Sequence, residues 1–237
     1  MNLVDFIIIV LLVMGAIVGF KRGLIRQLLS LCGTIIAAVL AFLFKTPLAQ
    51  LLCEYLPFFS FKGVLAGLSV LNLFVYEVIA FLIILAIFVG LLQVLIFLSN
   101  ILEKIVSMTI IFALPSKLAG AVFGVLENYI VVFIILYIVS LPFFNIDIIR
   151  GSELRDPIVT KTPVLNKLAE KSVEVGTEIA NLVDKYKIEE DKNQYNLDTL
   201  DVLLKYNITK VETVDRLVEK NKIQLVNIDL VLSKYRD

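Results

Sequence analysis

Over its first 144 residues the chain alternates long apolar stretches with short polar breaks, and then its character changes. A membrane-spanning helix needs about 20 mostly apolar residues. Leu3 to Phe20, with Asp5 near its start, meets that requirement. Gln27 to Phe44 meets it again, uncharged between Arg26 and Lys45. Next comes LAQLLCEYLPFFSFKG, flanked by Pro47, with Pro57 inside it and aromatics from Tyr55 to Phe61. Aromatic rings beside prolines predict an interfacial loop, because amphipathic rings collect at headgroup level. The apolar stretch from Gly63 to Leu102 is too long for one crossing, and Asn72 and Glu77 divide it. Val78 to Asn100 is therefore predicted as the third span, and Gly63 to Glu77 as an interfacial approach with Glu77 at the membrane boundary. IVSMTIIFALPSK is apolar but short, which predicts a re-entrant or interfacial piece ended by Pro115. The fourth span runs from about Lys117 to Phe144, with Glu127 and Asn128 interrupting it.

Beyond residue 144 the pattern is that of a water-soluble region. Leu165, Leu168, Ser172, Val175, Ile179, Leu182 and Tyr186 fall at alternating steps of three and four, one face of a heptad-patterned helix over 163–187. Pro163 suits its start. EEDKNQYN then breaks the pattern, and a 14-residue repeat follows: LDTLDVLLKYN from 197, VETVDRLVEKN from 211 and LVNIDLVLSKY from 225. Each unit has apolar residues at its first, fourth, seventh and eighth positions and an aspartate at its fifth: Asp201, Asp215 and Asp229. Two heptads per unit could make one coiled coil with Asn207 and Asn221 on the seam. Alternatively each unit is a short helix with its own turn. Thr209 followed by Glu212 reads as a capping box, and Asn196 as a cap on the first unit. Caps would be wasted inside a continuous helix, so they favour a small bundle of short helices.

Composition agrees with this division. Of the 237 residues 59% are hydrophobic, and mean hydropathy is +0.92, beyond what a soluble globular domain carries. The first 144 residues hold 7 of the 22 Lys and Arg and 5 of the 22 Asp and Glu. The predicted fold class is all-α: four transmembrane helices in 1–144, a linker over 145–162 and a soluble helical tail over 163–237. The first apolar run lacks a preceding basic residue and a small-x-small cleavage site, so it reads as a retained helix rather than a signal peptide. Lys21, Arg22 and Arg26 sit between the first two spans, which orients that loop to the cytoplasm and can meet anionic headgroups. The N-terminus, the 45–77 loop and the tail are then extracytoplasmic. Arg150, Arg155 and Lys161 argue the other way, but the first helix usually dominates.

Candidate chemistry is sparse. Zero net charge and no extended basic run give no sign of a nucleic-acid partner. The chain has no histidine, so the commonest general base and metal ligand is missing. No phosphate loop, dinucleotide fingerprint or metal-ligand cluster is present, so no catalytic residue, metal or cofactor is expected. EEDK at 189–192 reads as a solvated turn rather than a cation site. Cys32 and Cys53 are not a disulfide framework and behave as small hydrophobes. Three small-xxx-small patterns stand out instead: Gly15, Gly19 and Gly23; Gly63 and Gly67; Gly120 and Gly124. Such ridges let two backbones approach where no hydrophobic force drives helices together. The first and fourth helices are expected to cross closely, or each to pair with a copy of itself.

GFKRGLIRQLLSLCG, at 19–33, resembles the run between the first two helices of the colicin V production protein (CvpA) family. Gly19, Arg22, Gly23, Arg26 and Gln27 match its pattern position by position. LAGAVFGVL, at 118–126, resembles the family's second marked run. Glu127 and Asn128 stand where relatives often continue with Arg-Gly, so no basic role carries over there. The resemblance covers residues 1 to about 144. It implies a four-helix protein of the bacterial cytoplasmic membrane, tied to production of a secreted peptide toxin and to envelope upkeep. In some relatives a similar domain precedes an extracytoplasmic protease.

The expectation is therefore a non-enzymatic membrane scaffold assisting toxin or peptide export and envelope homeostasis. It would sit in the lipid bilayer as a homo-oligomer and recruit an unknown protein partner through the C-terminal helices. The alternative is an oligomeric solute or ion transport component, with Glu77, Gln93, Asn100, Glu127 and Asn128 lining its path.

Overall fold

The structure is a computed structural model that describes residues 2–105, 113–139, 151–162, 165–186 and 191–236. All regular structure in it is helical, 81% of the described residues, with no strand among them. The helices are α1 (Leu3–Arg22), α2 (Leu24–Tyr55), α3 (Leu71–Ile105), α4 (Ala113–Val139), α5 (Arg155–Lys161), α6 (Leu165–Tyr186), α7 (Lys192–Lys205), α8 (Val211–Glu219) and α9 (Ile228–Leu232), with a 3₁₀ turn at Gly63–Leu65 before α3. Among the described residues four stretches are long and apolar enough to cross a membrane: Leu3–Arg22, Leu24–Tyr55, Leu71–Leu98 and Leu114–Val139. Their outward side chains are apolar: Phe6, Val13, Ile25, Leu43, Phe97 and Val122 are each more than half exposed. In water such faces would be a liability; in a bilayer they are the solvent-facing surface.

Several boundaries differ from those read in the sequence. α2 does not stop at Phe44 but continues through Lys45 and Pro47 to Tyr55. The predicted loop thus shrinks to the residues after Tyr55. α3 begins at Leu71, so Asn72 and Glu77 lie inside the helix rather than on an approach to it. Asn72 earns its buried place by tying the preceding loop: it accepts from Phe59 N at 2.7 Å and donates to the carbonyls of Phe59 and Ser69 at 3.2 and 3.0 Å. Tyr76 donates to the Pro57 carbonyl at 2.6 Å. Pro115 opens α4 rather than ending a preceding segment, because its missing N–H is harmless in a first turn. Residues 106–112 of the expected re-entrant piece, and the predicted end of the fourth span at Phe144, lie outside the described residues.

By contact the chain forms two compact units, Met1–Ala41 with Ile84–Lys167, and Phe42–Ile83 with Leu168–Asp237. Both α2 and α3 contribute to each.

The first unit begins with a capping box. Asn2 accepts from the N–H groups of Val4 and Asp5 at 2.9 and 3.0 Å, and Asp5 accepts from Asn2 N at 2.8 Å. Gly23 alone separates α1 from α2, and its φ of +79° is a conformation that side chains resist. Lys21 and Arg22 lie in the last turn of α1, where cations complement the helix dipole. Asp5 is fully buried and reaches forward in sequence: Ser152 Oγ donates to it at 2.5 Å and Leu154 N at 3.1 Å.

The second unit holds the repeats, and they form three separate short helices. The coiled-coil alternative is not what forms. Asn207 and Asn221 adopt left-handed φ of 55° and 56° and close α7 and α8, with Ile208 N and Lys222 N returning to the carbonyls of Leu203 and Leu217 at 2.9 and 2.8 Å. The expected N-caps are not used. Asp191 caps α7 by accepting from Gln194 N at 2.9 Å, and Asn196 lies inside that helix. Lys210 holds the cap position of α8 without a side-chain bond, so Thr209 and Glu212 make no capping box. The apolar repeat positions build the core: Leu200, Leu203, Val214, Leu217, Ile228 and Leu232 are buried. The fifth-position aspartates stay at the surface, where Lys234 meets Asp201 at 3.0 Å and Arg236 meets Asp215 at 2.8 Å.

Candidate functional site

The four-spaced glycines meet one another within the chain. A Cβ on Gly19 would stand 3.0 Å from Gly124 Cα and closer still to the Gly120 carbonyl. One on Gly15 would press on the Gly124 carbonyl and on Asn128 Cβ at 2.8 Å, and one on Gly120 would stand 3.0 Å from Gly23 Cα. The ridge of α1 therefore packs backbone to backbone on the ridge of α4, as one of the two sequence alternatives required. Gly63 and Gly67 are not a ridge: both have left-handed φ in the loop before α3.

Glu127 and Asn128 sit beside this crossing and are spent on it. The Asn128 side chain donates to the Leu11 carbonyl of α1 at 2.6 Å. Glu127 accepts from three side chains of α2: Gln27 Nε2, Ser30 Oγ at 2.8 Å and Thr34 Oγ1 at 3.2 Å. Arg22 donates to Ser30 Oγ at 3.2 Å, and Ser116 Oγ accepts from Leu24 N at 3.1 Å. α1, α2 and α4 are thus bonded into one polar seam. Sequence reasoning read Gln27 only as part of the family pattern and missed Ser30 and Thr34, which look ordinary in an apolar run. The signal was their spacing, which continues through Ala37, Ala38 and Ala41 as a single buried stripe.

Glu77 is buried within the protein. It pairs with Lys45 at 3.2 Å and accepts from Thr46 Oγ1 at 3.3 Å, across the α2–α3 hairpin of the second unit. Gln93 is exposed on α3. Asn100 belongs to α3, but its side chain lies outside the described residues. Of the candidate path residues, Glu127 and Asn128 are turned to α2 and α1, Glu77 is held by Lys45, and Gln93 is exposed. Lys21 is exposed and Arg22 and Arg26 are half-buried, around the turn at Gly23.

The tail is bonded to the α2–α3 loop in the second unit, which sequence reasoning did not foresee. Asn196 accepts from Val70 N and Ser69 Oγ at 3.1 and 3.2 Å and donates to the Gly67 carbonyl at 2.9 Å. Lys222 donates to the carbonyls of Cys53 and Leu56 at 2.7 and 2.9 Å, supplying the donors that the end of α2 lacks. Lys220 meets Glu54 at 2.6 Å. Within the tail, Lys205 and Tyr206 bond Glu178, and the Lys205 bond holds its carboxyl below the usual range. Burial alone would raise Asp198, but hydrogen bonds from Tyr186, Lys185 and Gln194 leave it below its usual value. Burial pushes the Tyr195 phenol up to about 12.

Comparison with known proteins agrees with a membrane protein. Residues 4–163 match the family described as Colicin V production protein. The uncharacterized transmembrane protein YshB of Bacillus subtilis (strain 168) is 32% identical over 185 residues, 71% of this chain and 96% of that protein. No solved structure matches. With the paired glycine ridges and four apolar helices in place, the chain is a multi-pass membrane protein that belongs to the colicin V production protein family.

Proposed function

We propose that the protein is a non-enzymatic scaffold of the bacterial cytoplasmic membrane that assists peptide production or export and envelope homeostasis. The observation that carries this reading is the use of Glu127 and Asn128. A carboxylate inside a membrane is by default a functional group, yet here three donors of α2 consume it. A transport path would need its polar groups turned toward a common lumen, whereas these knit helices together. The family is not a known enzyme family, which fits the same reading.

The scaffold's working part is the tail. Its bonds to the 67–70 loop support a tail on the side of the membrane where α2 ends. The Asp5–Ser152 bond likewise puts the segment after α4 beside the start of α1. Both pairings suit an even number of crossings. With Lys21, Arg22 and Arg26 in the cytoplasm, the N-terminus and the tail are extracytoplasmic and available to exported partners. Association with further copies would use surfaces other than the α1 and α4 glycines, which are occupied.

The test has two arms. Purified protein in liposomes should pass no more Na⁺, K⁺ or small organic solute than protein-free liposomes. In cells lacking the protein, the full chain and Glu127→Gln should restore peptide export, and a chain cut after residue 167 should not. Solute flux abolished by Glu127→Leu would replace the scaffold with a transporter.

A further inference from the structure

The second unit carries a surface that the scaffold reading does not use. Between Arg26 and Lys45, α2 rises about 28 Å at 1.5 Å per residue, which is already the depth of a hydrocarbon core, about 30 Å. Past Pro47 it continues to Tyr55 and is still apolar on its outer side. Leu51 is 53% exposed, Tyr55 73%, Leu56 42% and, in the following loop, Phe59 48%. The opposite side faces the tail. Cys53 is buried there, and Glu54 meets Lys220 at 2.6 Å and Arg216 at 4.0 Å. The Lys220 ammonium stands 4.9 Å from the Tyr55 ring centre, and that of Lys222 5.6 Å from the Phe58 ring centre. An exposed apolar strip is thus edged by the cations at the end of α8. Bulky apolar residues and rings on one side, with cations at the rim, are the pattern of a segment lying in the headgroup layer.

We propose that the strip from Leu51 to Phe59, together with Arg216 and Lys220 of the tail, binds the headgroups of anionic phospholipids. The leucines and rings enter the acyl boundary. A phosphodiester of the lipid accepts hydrogen bonds from Lys220 and Arg216. Glu54 cancels one charge of the cluster, but Arg216, Lys220 and Lys222 together outnumber it. The occupant is lipid rather than a protein because the strip continues the lipid-facing side of the same helix, where Leu43 and Phe44 are exposed. The proposal says where the tail rests, not what it recruits, so it stands or falls apart from the scaffold reading.

The chain has no tryptophan, so Tyr55→Trp creates a single local reporter. The full-length variant is reconstituted in bilayers containing phosphatidylglycerol or phosphatidylcholine with brominated acyl chains, and quenching gives the relative affinity of the two lipids at that spot. The expected preference for phosphatidylglycerol is about 25-fold, at about fivefold for each of two cations beside the surface. Adding Arg216→Gln and Lys220→Gln should bring the ratio near one, while Lys220→Arg should keep it. Phe59→Trp as reporter should give the same ratios if Tyr55→Trp proves unstable. Equal quenching by the two lipids around either reporter overturns the proposal. So does a preference that survives Arg216→Gln with Lys220→Gln.

Discussion

The α1–α4 crossing and the repeat core of the tail are both helix packings, yet they are built from opposite materials. The crossing uses residues with no side chain and the hydrogen bond from Asn128 to the Leu11 carbonyl. The tail uses Leu200, Leu203, Val214 and Leu217, with its aspartates at the surface. The difference follows from the solvent. Lipid tails are as apolar as leucine, so burying leucine against leucine inside a bilayer gains nothing; close backbone contact and satisfied polar groups must do the holding. In water, burial of the apolar repeat positions supplies the drive, and polar groups gain most by staying wet.

The sharpest break of this comparison is steric. Gly19→Leu places a side chain where the Gly120 carbonyl stands, with no flexible neighbour to yield. The expected cost is about 3 kcal/mol or more, read as loss of the folded monomer in detergent unfolding. Gly90→Ala is the control, because nothing lies within 4 Å of its added Cβ; it should cost nothing by packing. In the tail the dependence reverses. Leu203→Ala empties a fully buried site and should cost about 2–5 kcal/mol in denaturant unfolding, whereas a small residue in α1 is what the crossing requires.

A smaller effect is expected at the polar seam. Glu127→Leu removes the acceptor for Gln27, Ser30 and Thr34 and leaves buried donors without partners, a cost of about 1–3 kcal/mol. Glu127→Gln keeps an acceptor oxygen and should lose less. Equal losses in the two variants would mean that Glu127 is held by packing rather than by its hydrogen bonds. Thermal unfolding in a single detergent separates the cases.

What could be read from the chain alone divides along the same line. The glycine ridges of α1 and α4 were legible because their four-residue spacing is local and glycine is costly in a helix unless something approaches closely, whereas the same spacing at Gly63 and Gly67 marks two left-handed loop positions. Which ridge met which was open between two pairings, since nothing local distinguishes a neighbour from a copy. Glu127 was legible as an anomaly, but its partners lie on a different helix about a hundred residues earlier and needed the fold. The helix boundaries at Lys45 and Pro47 were misread because a charge and a proline usually mark an end. Here Lys45 is paired with Glu77, and the helix passes the proline. Asn196 was misread as a cap for a similar reason: its polar groups go to Gly67, Ser69 and Val70, which no local pattern announces.

The smallest expected effect concerns pH and separates the two packings by chemistry. In the tail, Glu178 and Asp198 have folded values below their ordinary ones, Glu178 through the Lys205 and Tyr206 bonds and Asp198 through those from Tyr186, Lys185 and Gln194. A depressed carboxyl contributes stability that is fully present above its unfolded value, about 4, and is lost as pH falls through the folded value. The tail should therefore weaken below about pH 4 and not between 5 and 8. Both pairs are partly solvated, so each is worth roughly 0.5 kcal/mol or less. The glycine contact of α1 with α4 has no titrating group of its own, and Gly19→Leu should cost the same at pH 4 and pH 7. Asp198→Asn should flatten the acid limb of tail unfolding, followed by the near-ultraviolet signal of its stacked Tyr186 and Tyr195 rings. An acid limb left unchanged in Asp198→Asn would move the cause of acid weakening away from this cluster.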